Sequence, residues 1–68
     1  MINDKIKELI AAGASVSANC TDCVKYHVTK AREMKIEESE IQQAIEVGKM
    51  VRKGAAGQMD KSVEGLSK

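Results

Sequence analysis

The sequence predicts an all-α fold: a small antiparallel helical bundle that assembles as a homo-oligomer. Three observations point there. The chain has no proline, and no segment alternates with the two-residue period of a half-buried strand. Apolar residues instead recur at three- and four-residue spacing in three segments. The third observation is a thin supply of core residues: no Phe, no Trp and one Tyr among 68 residues. A chain of that length is expected to be one domain, 1–68. Such a domain buries only about 60% of the surface its unfolded chain exposes, and its core rarely supplies more than roughly 3–5 kcal/mol. Self-association is the expected supplement, because a bridge between Cys20 and Cys23 would close too short a loop to constrain the unfolded chain much.

The first helix is expected from about Asn3, its N-cap, to about Ser17. Ile6, Leu9, Ile10, Gly13 and Val16 make its apolar stripe, with Lys5, Lys7 and Glu8 alongside. Ala11 to Ala14 are small enough to let another helix approach closely. The second helix opens near Asn19 to Thr21, with Asn19 as candidate cap, and ends near Met34. Cys20, Cys23, Val24, His27, Val28 and Ala31 share one face of it. The third starts around Glu38 or Ser39, where Glu37, Glu38 and Glu40 suit the positive end of the helix dipole. Ile41, Ala44, Ile45, Gly48 and Val51 form its stripe. A kink or short break is expected near Gly54 to Gly57, and the terminal EGLSK is expected to fray. Between the second and third helices the chain must stop and restart within a few residues. The stopping position commonly takes a left-handed backbone, where Gly is preferred.

The formal net charge is +1 with the signs interspersed. That argues against a nucleic-acid or acidic-membrane surface. No stretch approaches the roughly 20 apolar residues of a membrane span, and MINDKIKELI is charged from its fourth residue, unlike a signal peptide. The protein is expected in the cytoplasm, where thiols stay reduced. A Cys-x-x-Cys there points to redox chemistry or metal binding.

The segment NCTDCVKYHVTKA carries both cysteines and the only histidine. Cys20, Cys23 and His27 project from one helical face within about two turns. A free thiol has a pKa of about 8.5, so little is thiolate at neutral pH. The positive helix end lies at Cys20. His27 lies at i+4 from Cys23, where its ring can accept the thiol proton. A base of this kind needs an orienting partner on its other nitrogen, and Glu8, on the border of the first stripe, is the apt carboxylate. The bland alternatives are inert buried thiols, a half-buried packing histidine and a solvated Glu8, which would make the chain a non-catalytic structural subunit of an oligomer. A sharper rival is zinc, held by the two thiolates, the imidazole and a carboxylate. Structural zinc sites usually add a second Cys/His pair from a distant segment, and this chain has none. Haem attachment needs His directly after the second Cys, where Val24 stands.

Glu8, eleven residues, Cys20, two, Cys23, three, His27: this spacing resembles the signature of the carboxymuconolactone decarboxylase superfamily, and more closely its alkylhydroperoxidase D-like branch. The following KAREMKIEESEIQQAIEVG is similar to that family's next stretch, and the likeness spans about Glu8 to Met59. The resemblance implies an all-helical fold assembling as trimers, hexamers or related rings. It also implies peroxidase or disulfide-reductase chemistry with a redox-active disulfide and no other cofactor. The implied partners are further copies of the chain, a small peroxide or disulfide, and a thiol reductant. On that likeness Cys23 is the attacking thiolate, Cys20 its resolving partner, His27 the proton relay and Glu8 its anchor. The general physics of Cys-x-x-Cys would favour Cys20 as nucleophile instead. Two departures matter. Asp22 stands where the peroxidases have a second histidine. A carboxylate there raises thiol pKa values and cannot relay a proton unless protonated, which weighs against efficient peroxide turnover. The family's decarboxylase branch lacks the cysteine pair, so lactone decarboxylation is not implied. The family often has Gly at the position of Lys35, and this likeness makes Lys35 the candidate for the left-handed stopping position between the second and third helices.

Overall fold

The computed structural model describes residues 1–66. Among them lie three helices and no strand: α1 (Asp4–Ser17), α2 (Thr21–Glu33) and α3 (Glu38–Leu66). Asn3 caps α1, its side chain accepting the Ile6 N–H at 2.8 Å. Helix α1 is the middle element. It packs against both α2 and α3, which barely touch each other.

That arrangement divides the α1 stripe between two neighbours. Ala12 and Ser15 are buried, Leu9, Gly13 and Val16 are half-buried, and Ile6 and Ile10 remain exposed. Ser15 is satisfied by donating to the Ala11 carbonyl at 2.6 Å. The core is as thin as the composition implies: Ala31, Ile36 and Ile41, with Leu9, Val28 and Ile45 packed around them. Dispersion and burial from so few side chains depend on close approach of the backbones. Glycine provides it. A Cβ on Gly13 would lie 2.9 Å from the Ala44 carbonyl oxygen, and one on Gly48 would run into the Gly13 carbonyl oxygen.

Helices α1 and α2 end the same way. Asn19 and Lys35 are left-handed, with φ of 57° and 60°. At the end of α1, Asn19 N–H returns to the Val16 carbonyl and Cys20 N–H to the Ser15 carbonyl, both at 3.0 Å. At the end of α2, Lys35 N–H returns to Arg32 and Ile36 N–H to Ala31, at 3.0 and 3.1 Å. Both are Schellman motifs, in which a left-handed residue lets the chain satisfy the last carbonyls. Lys35 therefore occupies the stopping position expected of it. The motif also drops Ile36 onto Ala31, which is how a connecting residue joins the core.

Two expectations need correction. Asn19 does not cap α2. An N-cap has extended backbone, and the Schellman motif commits Asn19 to the left-handed region. The capping position passes one residue on, to Cys20, whose φ and ψ are −97° and 95°. Nor does the third helix break at Gly54 to Gly57. It runs unbroken from Glu38 to Leu66, and none of its glycines has positive φ. Glycine lowers helix propensity by about 1 kcal/mol but removes no donor, unlike proline. Its neighbours there, Lys53, Ala55, Ala56, Gln58 and Met59, are good helix formers. Of the expected frayed end, Glu64 to Leu66 are helical, while Ser67 and Lys68 lie outside the described residues. Beyond Arg52, α3 continues for about 20 Å at 1.5 Å per residue and leaves Met59, Val63 and Leu66 exposed. No helix among the described residues is long and apolar enough to cross a membrane.

Candidate functional site

The site sits where α1 hands over to α2. The Schellman motif makes Cys20 the last residue of one helix's closure and the first of the next helix's cap. Its Sγ accepts the Cys23 N–H at 3.2 Å, and it is disulfide-bonded to Cys23. One helical turn brings the two Cα atoms to 5.2 Å, within the usual range for a bridge. Cys20 is half-buried and Cys23 exposed.

His27 follows Cys23 by one turn, so the two side chains are neighbours on the helix surface. No hydrogen bond joins His27 to either sulfur among the described residues. Its ring is held from the other side. Nδ1 lies 2.9 Å from Glu8 Oε1, across the α1–α2 interface. A carboxylate can only accept, so Nδ1 carries a proton, and in the neutral form of the ring Nε2 is the nitrogen with the lone pair. The His27 and Glu8 side chains are 28% and 18% exposed, so water screens this pair less than a surface ion pair. Tyr26 stands edge-on to the imidazole, ring centroids 5.0 Å apart. The four expected residues are thus contributed by two adjacent elements: Glu8 by α1, and Cys20, Cys23 and His27 by the start of α2.

No three His, Cys, Asp or Glu side chains gather into a metal-binding group among the described residues. The structure places a disulfide-bonded pair one turn from an imidazole that a carboxylate holds.

One neighbour of the site was not legible in the sequence. Arg52, from α3, donates through Nη1 to Asn19 Oδ1 at 3.1 Å and to the Val16 carbonyl at 3.4 Å. It thereby ties the left-handed residue just before Cys20 to a distant helix. Nothing local marks Arg52, because its partners lie 33 and 36 residues away.

The sequence model of the carboxymuconolactone decarboxylase family matches residues 2–58. Neither the search of curated proteins nor the search of solved structures found a match.

Proposed function

The chain belongs to the carboxymuconolactone decarboxylase family, and from that premise we propose that it is a thiol–disulfide redox protein of the alkylhydroperoxidase D-like branch, a peroxidase or disulfide reductase. The observation that carries this reading is the Glu8–His27 hydrogen bond of 2.9 Å beside the Cys20–Cys23 disulfide. In the reduced protein Cys23 is the nucleophile. His27 Nε2 takes its proton, and Glu8 stabilises the imidazolium that forms. Attack on a hydroperoxide cleaves the O–O bond, gives a Cys23 sulfenic acid and releases an alcohol. The Cys20 thiol then closes the disulfide with loss of water. A disulfide substrate follows the same course through a mixed disulfide. A thiol reductant regenerates the dithiol. No cofactor other than the redox disulfide is needed.

Two physical effects compete over the choice of nucleophile. The capping N–H favours a thiolate at Cys20, while the oriented base favours Cys23. Asp22, exposed in the first turn of α2, opposes both thiolates. Alkylation rates of the reduced protein between about pH 5 and 9, spanning the range where free thiols titrate, decide between them. Cys23→Ser is expected to abolish the fast reaction. Cys20→Ser keeps it but loses intramolecular disulfide formation. His27→Ala slows the reaction and moves its pH profile towards that of a free thiol, and Glu8→Gln does so more weakly. If Cys20→Ser removes the fast phase and Cys23→Ser retains it, the roles are reversed. An unchanged profile in His27→Ala leaves His27 as a packing residue.

The working form in this reading is a homo-oligomer, a trimer, a hexamer or a related ring. The support is the apolar surface left bare along α3 and on Ile6 and Ile10, set against so small a core. The proposed setting is cytoplasmic, where a thiol pool is available as reductant.

A further inference from the structure

We propose that Arg52 binds the acid group of a small anionic thiol, and that this thiol reduces the disulfide by attacking Cys20. The inference rests on the redox reading above and names the class of reductant that reading leaves open. A recess of about 180 Å³ lies between the end of α1, the start of α2 and α3. Ser15, Asn19, Cys20, Val24 and Arg52 are among the residues that line it, and Cys23 is not. Of the two cysteines, the half-buried one, Cys20, is therefore the one that borders the recess. Its volume is about that of six water molecules, enough for a thiol with a carboxylate a few atoms away.

Arg52 gives the recess its charge preference. It is half-buried, yet both its acceptors, Asn19 Oδ1 and the Val16 carbonyl, are neutral. No carboxylate among the described residues pairs with it. The chain's other arginine, Arg32, is paired with Glu38 through both Nε and Nη2. Only Nη1 of Arg52 is engaged, which leaves Nε and Nη2 to donate to an oxyanion. Asp22, the acidic residue nearest in sequence to Cys20, does not line the recess. A partly desolvated guanidinium with no counter-charge favours an anion at its side.

The chemistry balances. A thiolate held by Arg52 attacks Cys20 Sγ, forming a mixed disulfide and breaking the Cys20–Cys23 bond. The electron pair passes to Cys23, and the proton released by the incoming thiol reaches Cys23 through His27. A second thiol attacks the sulfur of the first, releasing a small-molecule disulfide and returning Cys20 with the second proton. Two thiols are oxidised and one protein disulfide is reduced. Cys23 is the better leaving group because His27 supports its thiolate.

The experiment measures the rate at which 3-mercaptopropionate, 2-mercaptoethanol and cysteamine reduce the oxidised protein. Wild type, Arg52→Gln and Arg52→Lys are compared, with each rate expressed per thiolate. Comparing one thiol across variants cancels its intrinsic reactivity. One unit charge near 4 Å in water is worth about a fivefold rate change. The 3-mercaptopropionate to 2-mercaptoethanol ratio is expected to fall about fivefold in Arg52→Gln and to survive in Arg52→Lys. The cysteamine ratio should rise in Arg52→Gln. In wild type, salt should depress the 3-mercaptopropionate rate relative to 2-mercaptoethanol, a readout that stands even if a variant does not fold. Equal slowing of all three thiols would make Arg52 purely structural and overturn the proposal. So would an unchanged ratio, or a ratio in wild type that ignores salt. If 2-mercaptoethanol reduces the disulfide normally, the redox reading survives that failure. If no thiol yields a dithiol that oxidant closes again, both readings fall.

Discussion

Replacing Gly48 with alanine tests how the two longest-range neighbours are held together. Gly48 is buried against α1. The added methyl would overlap the Gly13 carbonyl oxygen and lie 2.9 Å from Val16 Cβ. The first of these is main chain in the middle of a helix, so it cannot swing aside as a flexible side chain would. Helices α1 and α3 must move apart, and the few buried side chains between them lose contact. Overpacking of this kind costs about 1–3 kcal/mol. Alanine returns about 1 kcal/mol of helix propensity. Because the clash is with backbone, the upper part of the range applies, and the net loss is about 1–2 kcal/mol. Against a core of roughly 3–5 kcal/mol, that is a large fraction. The melting temperature should fall by about 5–15 °C, at 4–8 °C per kcal/mol for a chain of this size. The control is Gly54→Ala, where a Cβ meets nothing within 4 Å. That variant receives the propensity gain alone and should be more stable by up to about 1 kcal/mol. Thermal and urea unfolding followed by far-ultraviolet circular dichroism, at one fixed protein concentration because association would add to stability, read the melting temperature and the free energy of both variants. Equal stabilisation by the two alanines would refute the close approach of α1 and α3. The same approach brings Arg52 to Asn19, so Gly48→Ala should also weaken the preference for anionic thiols.

Three further expectations follow from single observations. Lys35 holds φ at 60°, a conformation that costs a non-glycine residue about 1 kcal/mol, so Lys35→Gly should be neutral or stabilising in the same urea assay; a clear loss would mean the turn is misplaced. The hydrogen bond from Arg32, reinforced by its charge, holds the Glu38 carboxyl below the usual carboxylate range, and Glu38 in turn raises Arg32. The stability contributed by Glu38 is therefore present above its unfolded pKa and lost as pH falls through the depressed folded value. Glu38→Gln should flatten that acid limb slightly, and high salt should shrink the difference, since both side chains are exposed; a limb identical in the variant would show that the pair contributes nothing. Light scattering at micromolar concentration should give a multiple of 7.4 kDa, whereas a clean monomer with a concentration-independent melt would refute self-association.

Much of the site was legible because its signals are local or carried by spacing. Asn3 as a cap and the helical faces follow from short-range patterns, and the family likeness placed the left-handed turn at Lys35. Glu8 is different in kind. Spacing alone made it apt, and the family likeness singled it out; packing of α1 on α2 then set its oxygen at 2.9 Å from His27. The continuity of α3 is not legible in the sequence, because two glycines look like a break when only propensity is weighed. The helix has no proline to remove a donor, and among the described residues beyond Arg52 all are exposed, so no packed neighbour there forces a turn.

Periodicity assigns a side chain to a face but does not say which element covers it. That is why three helices and a Cys-x-x-Cys at a helix start could be read from residue order, while the division of the α1 stripe between two partners could not. The same holds for the sulfur that caps α2. A cap depends on the backbone angles of the residue before it, and those were set by how α1 closes. It holds most of all for Gly13 against Gly48 and for Arg52 on Asn19. These contacts join residues more than thirty positions apart, and only the packing of α3 across α1 brings them together.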